Sequence, residues 1–87
     1  MYTVLVLREA ERDLAALDPP AAKRISQRLI WLAEHFEEIK PEALTGNQSV
    51  YFKFRVGDYR ALHTMDHAEK LLRIYRVRHR REVYERG

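Results

Sequence analysis

Apolar and polar residues change their spacing repeatedly along this chain, and each change marks an element. Tyr2 to Leu7 is β-branched, aromatic and aliphatic, which predicts a strand. It is nearly all apolar, as expected of a strand covered on both faces or lying centrally. From Arg8 to Leu17 the spacing turns helical, with Ala10, Leu14 and Leu17 on one face and charges around the rest. Asp18-Pro19-Pro20 stops that helix and opens another, because proline disfavours helix in the residue before it and is tolerated in a first turn. The second helix is predicted from Pro20 to about Phe36. Ile25, Leu29, Leu32 and Phe36 form its apolar stripe, which Ile30 and Trp31 widen, and Lys23, Arg24, Gln27, Arg28 and Glu34 take the opposite side. So short a connection makes the two helices an antiparallel hairpin.

Glu37 to Ser49 reads as a loop, with Pro41 and the turn-forming pair Gly46-Asn47. Three strands follow. Val50 to Val56 alternates cleanly: Phe52, Phe54 and Val56 on a face that meets Ile25, Leu29 and Leu32, and Tyr51, Lys53 and Arg55 on the opposite, open face. Gly57-Asp58 turns the chain into Tyr59 to Met65, and Asp66 to Glu69 turns it again into Lys70 to Arg78. That last strand alternates poorly, with Leu72 and Ile74 on one phase and Leu71, Tyr75 and Val77 on the other. His79 to Gly87 is a short charged tail of about one helical turn. The order β-α-α-β-β-β predicts an α+β fold over residues 1–87, a single domain in which a mainly antiparallel twisted sheet packs against an N-terminal helical hairpin.

Composition adds three constraints. Hydrophobic residues at 46% and charged residues at 33% describe a folded globular chain, not a disordered one. With no cysteine, disulfides and thiolate zinc sites are excluded, which agrees with a cytoplasmic location. No apolar run approaches the ~20 residues of a membrane span, and the N-terminus lacks the pattern of a signal peptide. The net charge of +3 is uneven: residues 1–44 hold six Lys/Arg against eight Asp/Glu, and residues 45–87 hold ten against five. Basic charge gathered in one half points to a polyanionic partner.

The candidate chemistry narrows by elimination. His35, His63, His67 and His79 lack ligand-like spacing and paired carboxylates, so no metal centre is expected. His35 caps its helix or faces water, His67 is solvated in a turn, and His63 fits a packed core as well as a site. There is no GxGxxG, no P-loop and no nucleophile elbow, so neither a nucleotide nor any other small-molecule cofactor is expected. What remains is a cationic surface with interleaved aromatics, Lys53 to Arg60 and Tyr75 to Tyr84. Such a surface suits RNA backbone binding, and also metal-free cleavage. Cleavage needs the 2′-OH deprotonated, the crowded phosphate stabilised and the leaving 5′-oxygen protonated. Arginine suits the second task through its planar fork, and His79 is the candidate proton donor because its unperturbed pKa lies near neutrality. Tyr84 either stacks on a base or acts as a base itself in a strongly cationic setting.

The segment Lys53-Phe54-Arg55-Val56-Gly57-Asp58-Tyr59-Arg60, with the closing His79-Arg80-Arg81-Glu82-Val83-Tyr84, resembles the RelE branch of the RelE/ParE toxin superfamily. The resemblance spans essentially the whole chain. It implies the toxin of a type II toxin–antitoxin pair, a metal-independent endoribonuclease that cleaves mRNA on the ribosome and is neutralised by a cognate antitoxin protein. It also implies roles: Arg60 contacts the scissile phosphate, Lys53 contributes positive charge or base character, and Arg80 and Tyr84 complete the site. Around these, Arg55, Arg76, Arg78 and Arg81 are expected to bind RNA backbone. Two positions depart from the family pattern: Tyr51 stands where better-characterised members carry a second lysine, and Arg78 stands where many have glycine. Two rival readings share the features, a ParE-like inhibitor of DNA gyrase and a non-catalytic RNA-binding module.

Overall fold

In the computed structural model the described residues are 2–36, 42–43 and 52–81, with 42–43 described as backbone only. The first strand, β1 (Thr3–Val6), runs into helix α1 (Arg8–Ala15) and then α2 (Pro19–His35). Glu9 and Glu11 lie in the first turn of α1 and Arg12 in its last, each sign at the end of the helix dipole that favours it. Pro19 and Pro20 open α2, where their missing N–H groups have no helical partner to lose. Strands β2 (Glu42–Ala43), β3 (Phe52–Val56), β4 (Tyr59–Asp66) and β5 (Leu71–His79) complete the order. Among the described residues no helix is long and apolar enough to cross a membrane.

The sheet order is β1-β5-β4-β3-β2, with β1 parallel to β5 and every other pair antiparallel. The expected α+β architecture holds, and two expectations need correction. The run Tyr2 to Leu7 does not form a central or doubly covered strand. β1 pairs on one side only, so it is an edge strand: Val4 and Val6 pack inward, while Leu5 is 43% exposed. The segment expected to be loop from residue 37 to 49 contains β2, whose two residues extend the sheet by pairing Glu42 with Lys53 and Ala43 with Phe52. Two residues are too few to show a hydrophobic alternation, so no periodicity marks them.

The helices cover one face of the sheet. Ala10, Ile25, Leu29, Val56, Ala61, Ile74 and Val77 form one buried cluster, and Tyr2, Leu32, Ala33, Phe36 and Leu72 a second beside it. Full burial of a side chain such as Ile25 or Ile74 is worth about 1.5–3 kcal/mol. Phe54 and Val56 meet the helices as expected, and Trp31 stacks near-parallel on Phe54 at 6.4 Å. Phe52 packs instead beside the His63 ring.

The poor alternation of the last strand has a definite cause. Ala61 pairs with Val77 and Leu62 with Arg76, but His63 pairs with Ile74, so Tyr75 is an extra residue in a β-bulge. An inserted residue shifts the phase of a strand. Leu72 and Ile74 before the bulge and Val77 after it therefore all reach the core.

Beyond Ile74, β1 no longer borders β5, and α1 takes its place along that edge. Asp13 of α1 accepts the Val77 N–H at 2.8 Å, and its two oxygens receive Arg76 Nε at 2.9 Å and Nη2 at 3.2 Å. Glu9 lies 3.8 Å from the same guanidinium. One carboxylate thus closes an open strand edge and fixes an arginine.

At the other end, the β4–β5 turn closes over the N-terminus. The Thr3 N–H donates to the Lys70 carbonyl at 2.9 Å, and Tyr2 Oη lies 2.6 Å from His67 Nδ1. His67 is exposed but is not simply solvated, as expected from the sequence, because Tyr2 reaches it. His35 does end its helix, with Nδ1 donating to the Trp31 carbonyl at 2.9 Å and its ring stacked on the Trp31 indole.

His63 resolves as a core residue. It is 1% exposed, between the rings of Phe36 and Phe52. Nδ1 donates weakly to the Ala61 carbonyl at 3.4 Å, and Nε2 has no partner among the described residues. Desolvation lowers its pKa from the ordinary 6.5, against a smaller opposing effect of the Ala61 bond. The unfolded chain protonates this ring near 6.5 and the folded chain only at lower pH, so between those values unfolding takes up a proton. Its contribution to stability is whole above pH 6.5 and is lost as pH falls below it. Thermal melts of the wild type are expected to fall from neutral pH toward pH ~5, and those of His63→Leu to fall less steeply. Equal slopes would remove His63 as the cause. Asp13→Ala leaves the Val77 N–H and the Arg76 guanidinium short of an acceptor, and is expected to destabilise by ~1–3 kcal/mol in urea titration.

Candidate active site

The face of the sheet turned away from the helices carries the cations. Val56, Ala61 and Val77 point into the core, so their neighbours along each strand point the other way. Register brings Arg55 of β3, Arg60 of β4 and Arg78 of β5 into one row across three strands. With strands ~4.8 Å apart, their Cα atoms fall within about 10 Å. Lys53 lies on the same face, two residues before Arg55 and opposite Leu62. Like charges placed directly across strands destabilise a sheet, so this row does not serve the stability of the fold.

Arg60 is the least ordinary member. It is 6% exposed although its guanidinium is permanently charged. Nη1 donates to the Gly57 carbonyl at 3.0 Å and to the Tyr59 carbonyl at 2.9 Å, while Nε is buried with no hydrogen-bond partner among the described residues. No carboxylate of those residues pairs with it. A buried cation held only by neutral carbonyls lacks the counter-charge that burial ordinarily demands. Lys53 is also buried, at 9% exposure.

The turn between β3 and β4 positions two of the arginines. Gly57 has φ +60° and Asp58 does not share that sign, the type II′ hairpin pattern, which needs glycine at its first central position. The turn directs the Gly57 carbonyl to Arg60. The next carbonyl, of Asp58, accepts the backbone N–H of Arg80 at 2.6 Å, and the Asp58 carboxylate stands 3.8 Å from the Arg80 guanidinium. Arg60 and Arg80 are therefore anchored to adjacent residues of one turn.

His79 and Arg76 are placed elsewhere. His79 pairs with Tyr59, not Arg60, so its side chain leaves on the side opposite Arg60 and Arg78. Its ring meets Tyr59 edge-on at 5.5 Å, and its Nδ1 accepts the Arg81 N–H at 3.2 Å. Arg76 is held by Asp13 and Glu9. Arg81 is exposed just after β5. Tyr84 lies outside the described residues, as does Tyr51. Asp58 and Asp13 are the residues that sequence reasoning missed. An acidic residue in the turn just before Arg60 was a signal for the first; nothing local marks the second, whose partners are far along the chain.

Comparison with known proteins agrees with the fold. Residues 4–84 match the family model described as the ParE toxin of the type II toxin–antitoxin system parDE. No curated protein sequence matches the chain. Among solved structures, a chain of the toxin–antitoxin complex RelBE2 from Mycobacterium tuberculosis is 28% identical, with a TM-score of 0.80 over 90% of this chain and 96% of that one. The isolated RelE toxin of Escherichia coli shares the fold at 16% identity, with a TM-score of 0.73 over 100% of this chain and 88% of that one. A chain of the YoeB dimer from Staphylococcus aureus does so at 19% identity and a TM-score of 0.67, over 90% and 95%. A match over nearly the whole chain, on a fold shared with RelE, places this chain in the ParE toxin family of type II toxin–antitoxin systems, within the RelE/ParE superfamily.

Proposed function

We propose that this toxin is a metal-independent endoribonuclease that cleaves mRNA on the ribosome, and that it acts in the cytoplasm. The observation that carries the reading is Arg60: a buried, permanently charged side chain in a row of arginines, with no carboxylate among the described residues to balance it. An incoming phosphodiester supplies that charge. The similarity to a chain of the RelBE2 complex and to RelE supports the same reading.

In the proposed reaction the 2′-oxygen attacks the adjacent phosphorus and the bond from phosphorus to the 5′-oxygen breaks. The leaving 5′-oxygen takes a proton from solvent, so the products are a 5′-hydroxyl and a 2′,3′-cyclic phosphate, which water opens to a 3′-phosphate. Arg60 and Arg80 stabilise the charge that builds on the non-bridging oxygens. Lys53, on the same face, removes the 2′-proton or adds positive charge. Tyr84 stacks on the substrate nucleotide or shares in proton removal, a role carried by the family resemblance. Arg55, Arg78 and Arg81 hold RNA backbone and set the salt dependence of binding. Arg76, committed to α1, contributes to this surface through the fold. His79, on the opposite side of β5, has no assigned proton transfer.

A cognate antitoxin is the proposed protein partner, since several similar structures were solved as toxin–antitoxin complexes. An acidic segment of such a partner would complement the arginine row. A second reading, inhibition of DNA gyrase, is favoured by the name of the matching family model. A gyrase binder has no need of Lys53, Arg60 and Arg80 on one surface.

Brief expression followed by mapping of transcript ends tests the proposal. The wild type is expected to fragment translated messages, and to stop doing so when initiation is blocked. Arg60→Ala is expected to keep its melting temperature within a few degrees and to lose ~10²-fold or more in cleavage. Intact messages with failed plasmid supercoiling would instead establish the gyrase reading.

A further inference from the structure

We propose that Asp58 is an internal surrogate for the RNA phosphate: its carboxylate occupies the Arg80 guanidinium in the free toxin and releases it when RNA arrives. The inference rests on the nuclease reading of the same site and adds a regulatory step to it.

Asp13 and Asp58, each an acidic partner of one of the arginines, are built differently. Asp13 holds Arg76 through a two-pronged contact at 2.9 and 3.2 Å and also takes a backbone N–H, and its side chain is only 17% exposed. That pair is part of the fold. The Asp58–Arg80 contact is 3.8 Å, beyond hydrogen-bond length, and the two side chains are 66% and 59% exposed. A pair of this kind is weak, screened by salt and readily exchanged. The part of Arg80 that is firmly held is its backbone, through the N–H to the Asp58 carbonyl at 2.6 Å. The guanidinium can therefore change partners without moving the chain. The neighbouring carbonyl, of Gly57, holds Arg60, so the buried cation and the backbone of Arg80 are tied to the same turn.

A phosphodiester is the better partner. It offers two non-bridging oxygens to the planar fork of arginine, and a two-bonded contact of this type is stronger than a single long one. In the free toxin the carboxylate offsets repulsion among Arg60, Arg78 and Arg80. On binding, RNA must displace it, so Asp58 lowers affinity for RNA in proportion to the strength of the pair.

The test is a double-mutant cycle on binding of a 2′-O-methyl oligoribonucleotide, which cannot be cleaved, read by fluorescence anisotropy at low salt. Asp58→Asn keeps a turn-forming residue and removes the charge. It is expected to tighten binding by up to about fivefold, the range of a surface ion pair. In the Arg80→Ala background the same substitution is expected to change affinity little. Asp58→Ser, also a turn former, repeats the measurement if the first variant melts low. No gain from Asp58→Asn, or an equal gain with and without Arg80, would overturn the proposal, the latter because a general charge effect needs no exchange. If Arg80→Ala binds as tightly as the wild type, Arg80 takes no phosphate and the surrogate role falls. Uncut messages on expression of the wild type, with the cycle intact, would sink the nuclease reading while leaving Asp58 as a brake on RNA binding.

Discussion

Strand β5 has to bury Leu72, Ile74 and Val77 on one face, and their spacing does not permit it in a regular strand. The extra residue opposite Leu62 removes the conflict. Three elements lean directly on that strand. β1 runs parallel along its first half, α1 along its second, and β4 along its whole length. Had the strand stayed in phase, either Ile74 or Val77 would face away from the helices, and Arg78 would exchange sides with His79. The bulge thus places the arginine row opposite the helices and completes the core at the same time.

The cations of this half of the chain divide by the partner each has. Arg76 is tied into the edge of the sheet by Asp13 and is a structural residue. Arg60 is buried against two carbonyls, with its Nε unmatched among the described residues. Arg80 is anchored by its backbone while its side chain rests on an exposed carboxylate. Residues of one type, a short distance apart in sequence, carry different free energies of exchange with an anion. Burial and partner distance set those differences, and charge counting cannot reveal them.

The same distinction explains how far the sequence alone could be read. The helices were legible because apolar spacing and the Pro19-Pro20 break are local signals. The Gly57-Asp58 turn was legible for the same reason, and with it the register that puts Arg55 opposite Arg60. The position of β1 at an edge was not, since Val4, Leu5 and Val6 are apolar whichever side is covered. The bulge showed itself only as a disturbed alternation. The bond from Asp13 to Val77 left no mark, because it joins elements that meet only after the whole sheet has formed. Motif resemblance points to Lys53, Arg60 and Arg80 as a group; register puts Lys53 and Arg60 on one face, and one turn anchors Arg60 and the backbone of Arg80. His79 reads from the sequence as a proton donor, and strand parity sets its side chain on the face opposite Arg60.

The pairing of Thr3 with Leu71, and the seating of Ala10 and Ile25 against Ile74 and Val77, give the fold a particular order of events. Helices α1 and α2 leave the ribosome early with apolar stripes that have no sheet to cover. Closing so long a loop is entropically slow, and the contacts that reward it come only with the final strand. During synthesis, then, the growing polypeptide has neither a complete core nor a complete arginine row until β5 has emerged. A message that is cut short before that strand yields an unfolded fragment, open to proteolysis, and no working toxin.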